Sequence, residues 1–127
     1  MNQEIFENFL KDLEGYKVKF KELHWNALTL NSHKLADSIS DSLKEFQDSI
    51  AEDGFSMNGK FVNNAFFPNK IESSTIKETL IMLTSTVIDF RKENNILPQE
   101  IGLNGILSVC DAYIHDLNKF LYLVDLQ

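Results

Sequence analysis

One histidine and three carboxylates recur at regular offsets in HKLADSISDSLKEFQDSIAED, residues 33–53. His33 and Asp37 are four residues apart, Asp48 and Glu52 likewise, with ten residues between the pairs. On a helix at about 100° per residue these side chains fall at roughly 0°, 40°, 60° and 100°. They share one face, and each i,i+4 pair can set two ligand atoms near one cation. Carboxylates with one or two imidazoles suit iron(II), manganese(II) or zinc. The single cysteine, Cys110, cannot supply a thiolate set, which argues against a structural zinc site. A solvated helix face carries the same residue types, and Asp41 and Glu45 fall on this polar side too.

The apolar residues of the same stretch, Leu35, Ile39, Leu43, Phe46 and Ile50, centre near roughly 250°, almost opposite the carboxylates. A face turned from the core cannot build an internal di-iron centre, which uses inward glutamates and Glu-x-x-His pairs. The residues three before His24, His33 and His115 are Lys21, Leu30 and Ala112, so that motif is absent. Metal binding by this helix therefore requires a second subunit or open solvent.

Helical periodicity predicts the elements that position these groups. A first helix spans about Gln3 to Asn26, with Ile5, Phe6, Phe9, Leu10, Leu13, Phe20 and Leu23 inward. Gly15 marks a kink or a close approach of another segment. Asn31 or Ser32 caps a second helix, about His33 to Asp53, and Gly54 is its natural stop. Residues 54–73 break the period and read as a long crossover anchored by Phe61, Phe66 and Phe67. A third helix runs from about Ser74 to Asn94, with Ile76, Leu80, Leu83, Val87 and Phe90 inward. A fourth runs from about Gln99 to Val124, lined by Ile106, Cys110, Tyr113, Leu117, Phe120, Leu121 and Val124. The expectation is an all-α four-helix bundle with one long crossover between helices two and three, a single domain over residues 1–127.

With 43% hydrophobic residues the chain can bury a core, while five glycines and two prolines favour long helices over turn-rich sheets. A net charge of −7 suits cations and argues against direct DNA binding. The lone cysteine, the lack of a leader pattern and the short apolar runs point to a cytoplasmic protein without a membrane span.

The HWN of residues 24–26, followed by the His-x3-Asp-x10-Asp-x3-Glu helix ending in DSIAE, resembles the Dps family (DNA protection during starvation) of the ferritin-like superfamily. The resemblance is strongest over residues 20–53 and topological beyond them. It implies a ferritin-like bundle and a homo-oligomer with two-fold interfaces, up to the family's dodecamer. It implies a ferroxidase centre in which His24, His33 and Asp37 of one subunit face Asp48 and Glu52 of the next. Trp25 corresponds to the family's tryptophan beside that centre, or serves only as an aromatic packing anchor. Asn26 caps the helix end. The loop between His24 and His33 is shorter than the family's, and the N-terminus lacks the basic tail many members use on DNA.

The activity implied is oxidation of Fe(II) by hydrogen peroxide or dioxygen, with iron, or another divalent metal, bound at the subunit interface and ferric product sequestered. Asp41 and Glu45 are either solvated or carboxylates that admit and nucleate iron. The rivals are a non-catalytic bundle that oligomerises or binds another protein through helix two, and a relative that binds metal without turnover. Asp111 and His115, also at i,i+4, read as a surface pair, and Cys110 as a buried thiol.

Overall fold

Capping side chains begin the helices. Asn2 Oδ1 accepts the Ile5 N–H at 3.1 Å and starts α1, Gln3–Trp25. Asn26 closes it, its N–H donating to the Glu22 carbonyl at 3.0 Å. Thr29 Oγ1 accepts the Ser32 N–H at 3.1 Å and starts α2, Leu30–Asn58. The cap of α2 is thus Thr29, ahead of Asn31 and Ser32, because only Thr29 has extended backbone there. Thr75 Oγ1 accepts the Glu78 N–H at 3.1 Å before α3, Ile76–Asn95. The last helix is α4, Leu103–Asp125. The computed structural model describes residues 2–59, 66–95 and 103–127; among them every regular element is α-helix and none is strand. The expected start of helix four at Gln99 lies outside the described residues.

Helix α2 runs past Gly54, the expected stop, and ends at Gly59, whose φ of 79° suits glycine. Packing explains the extension. Phe55 meets Phe6 edge-on, ring centroids 5.3 Å apart, and a Cβ on Gly54 would collide with the Phe6 ring. Gly54 therefore serves a close approach within the helix.

The inward residues expected of α2 are all buried, as are Phe6, Phe9, Leu10, Leu13 and Phe20 of α1. Leu80, Leu83, Val87 and Phe90 of α3 and Ile106, Cys110, Tyr113 and Leu117 of α4 complete the core. Helix α1 packs between α2 and α3, and α4 also contacts both. Phe9 stacks on Phe90 at 3.8 Å while Tyr16 bonds Thr86 at 2.8 Å, so α1 and α3 are antiparallel. Arg91 meets Asp111 and Lys77 meets Asp125, so α3 and α4 are antiparallel. Ser32 meets Gln127 and Ser42 meets Tyr113, so α2 and α4 are antiparallel too.

The approach to α3 is held differently from expectation. Phe61 lies outside the described residues, and Phe66 and Phe67 are 38% and 72% exposed, so neither anchors the segment. Asn69 and Ile71 do. The Asn69 N–H donates to the Lys11 carbonyl at 3.0 Å, and its amide donates to Asn8 Oδ1 and Asp12 Oδ1 at 3.0 and 2.8 Å. Ile71 is buried beside Gly15. A polar clamp on α1 replaces the aromatic one because the extended backbone needs hydrogen-bond partners where it crosses a helix. Among the described residues no helix is long and apolar enough to cross a membrane.

Gly15 is the tightest point of this crossing, since a Cβ there would strike the Asn69 carbonyl. Replacing an interior helical glycine by alanine ordinarily stabilises by about 1 kcal/mol. Gly15→Ala should instead destabilise by about 1–3 kcal/mol through overpacking against backbone. Urea denaturation checks this, and a raised midpoint would contradict the close approach.

Candidate metal centre

The turn between α1 and α2 lays two imidazoles on each other. The His24 and His33 rings stack with centroids 3.7 Å apart and planes 26° from parallel. Each ring also bonds the other residue's backbone: His24 Nδ1 lies 2.7 Å from the His33 carbonyl, and His33 Nδ1 lies 2.9 Å from the His24 carbonyl. A carbonyl oxygen only accepts, so both Nδ1 atoms carry the proton and donate. In the neutral rings both Nε2 atoms then keep a free lone pair, the form in which histidine ligates metal. The carbonyls thus do the work of an outer shell, fixing tautomer and ring orientation together.

Asp37 stands one turn along α2 from His33. Its Oδ1 is 3.9 Å from His24 Nε2 and 3.4 Å from Lys21 Nζ. Lys21 is absent from the ligand set read from the sequence. No residue-type pattern marks it, but on α1 it stands three residues before His24, and the antiparallel pairing sets it opposite Asp37.

Asp48 and Glu52 sit on the same outward side of α2, exposed, with no side-chain partner among the described residues. Eleven residues separate Asp48 from Asp37, about 16 Å along a helix. One chain therefore divides the set in two: His24, His33 and Asp37 at one end of α2, Asp48 and Glu52 towards the other. Consistent with that division, no three His, Cys, Asp or Glu side chains gather as a cation site among the described residues.

Trp25 is 71% exposed, so within the chain it is no packing anchor. Its position as the last residue of α1 turns the indole outward beside the buried His24 edge. Asn26 does cap the helix. Asp41 and Glu45 are exposed. Asp111 is engaged by Arg91, whose Nε and second guanidinium nitrogen donate to its two oxygens at 2.7 and 3.2 Å. This hydrogen bonding holds the Asp111 carboxyl below its usual range, and His115 stands exposed nearby. Cys110 is fully buried, and burial pushes its thiol up to about 12.

Scans against protein-family models, curated proteins and solved structures give no match to this chain. The Dps likeness rests on the chain's own residues.

Two outcomes follow. The imidazole 15N shifts of His24 and His33 in the neutral state should both report protonated Nδ1 and bare Nε2; protonated Nε2 in either ring would break the reciprocal lock. Cys110, buried and protonated, should resist an aromatic disulfide reagent at pH 8 and react at once in denaturant; rapid labelling of the folded chain would contradict its burial.

Proposed function

We propose that two copies of this chain form a ferroxidase, oxidising Fe(II) at an interface built from His24, His33 and Asp37 of one copy and Asp48 and Glu52 of the other. The observation that carries this is the His24–His33 lock, which leaves two Nε2 lone pairs side by side next to a carboxylate. Rings 3.7 Å apart match the spacing of about 3.5–4 Å between ions in two-metal sites. Each imidazole then serves one iron ion, and the carboxylates favour the higher charge of Fe(III). Hydrogen peroxide takes one electron from each of two Fe(II) ions; its O–O bond breaks, and two protons complete two waters. Removing peroxide and Fe(II) together suppresses hydroxyl-radical formation.

A ferritin-like topology is part of the proposal. Antiparallel contacts of α1 with α3, and of α4 with both α2 and α3, support it: α2 and α3 then run the same way and need a long connection. Asn69 and Ile71, laid along α1, fit the path of such a connection. Assembly into a homo-oligomer would gather the ferric product on acidic surfaces, in keeping with a net charge of −7. A reducing cytoplasm, without DNA as a partner, is the proposed setting.

Peroxide-driven Fe(II) oxidation, followed by absorbance, tests the proposal. Asp48→Ala/Glu52→Ala should slow the initial rate by more than about tenfold, since whole ligands are lost rather than their supports. Equal background rates in both proteins would sink the enzymatic claim. Fe(II) binding without oxidation would identify a metal-binding relative that has no turnover.

A further inference from the structure

Two-fold symmetry turns one pairing into a register. Asp37 opposite the partner's Asp48 places the axis beside α2, midway between Ser42 and Leu43. His33 opposite the partner's Glu52 places it at the same point. That axis sets Asp41 opposite the partner's Lys44, and by symmetry does so twice. Asp41 and Lys44 are both exposed, and neither side chain has a partner among the described residues. On the α2 wheel they fall at about 80° and 20° from His33, within the arc of the ligand residues. The register thus brings opposite charges together on both sides of the axis.

The same axis governs Trp25. This sole tryptophan follows His24, whose ring lies on His33, so it stands level with the first turns of α2. Opposite that level the partner presents Ala51 and Glu52. There a groove of about 210 Å³ opens between α1 and α2, its lining including Leu10, Ala51, Phe55, Phe66 and Asp48. Glu14 lines it as well, and Trp25 lies about 20° from Glu14 on the α1 wheel, so indole and groove occupy the same side of the bundle. An exposed aromatic seated in a preformed apolar groove is the usual anchor of a protein interface.

We propose that two copies dock antiparallel through the α1/α2 face, Trp25 seated in the partner's groove and Asp41 paired with the partner's Lys44. The register rests on the ferroxidase reading of His33, Asp37, Asp48 and Glu52. The occupant is a second copy because one axis delivers the complementary charge and the indole together.

Sedimentation velocity and tryptophan emission of the full chain, over a concentration series, test this. In the wild type the emission should move to the blue as the associated fraction grows. Lys44→Glu places like charges on both sides of the axis; the dimer Kd should rise by about tenfold or more and the emission return to the red. Asp41→Lys/Lys44→Glu restores opposite charges and should restore both readouts. A monomer at every concentration, an assembly with water-exposed emission, or a Lys44→Glu variant that associates like the wild type would overturn the docking. Fe(II) oxidation separates the two claims. Docking as expected without oxidation keeps the interface and removes the ferroxidase; oxidation indifferent to the charge reversal keeps the ferroxidase and removes the register.

Discussion

Helix α2 has to hide one face, and the rest of the surface chemistry follows from that. Leu35, Ile39, Leu43, Phe46 and Ile50 are each no more than 7% exposed, packed towards α1 and α4. Their burial fixes the rotation of the helix. His33, Asp37, Asp48 and Glu52 must then look outward. Turning them inward would bury carboxylates without partners, at a cost several times the stability any one contact returns. A cation held by this helix has to be held between bodies.

The short α1–α2 turn refines that constraint. Asn26 and Thr29 satisfy the helix ends on either side of it. With both ends fixed, the turn leaves His24 and His33 too close to avoid each other, and the rings stack while bonding each other's backbone. Lys21 meanwhile offers Asp37 a countercharge at 3.4 Å. Because that pair is largely solvated it is weak, and an incoming dication can outcompete it.

Apolar spacing made the four helices and most of the core legible in sequence, because burial repeats with the helical period. Where several local signals competed, sequence was a poorer guide. Gly54 looked like a stop because glycine often ends helices, yet Phe55 and Phe6 carry α2 past it. Phe66 and Phe67 looked like anchors by hydrophobicity alone, while Asn69 holds the segment through hydrogen bonds that no composition reveals. For the candidate site, spacing identified which residues share a face of α2. It could not show that His24 and His33 lock one another, nor that Lys21 stands against Asp37, since both depend on how α1 lies across α2.

The most direct test of a site shared between copies uses two variants that each lack half of it, His24→Ala/His33→Ala and Asp48→Ala/Glu52→Ala. Each is unfolded and refolded alone and in equal mixture, and peroxide-driven Fe(II) oxidation is measured. A mixed pair carries one intact centre and one doubly damaged centre. Random pairing should therefore restore about a quarter of the wild-type rate in the mixture. A mixture no faster than its separate components would contradict the shared site.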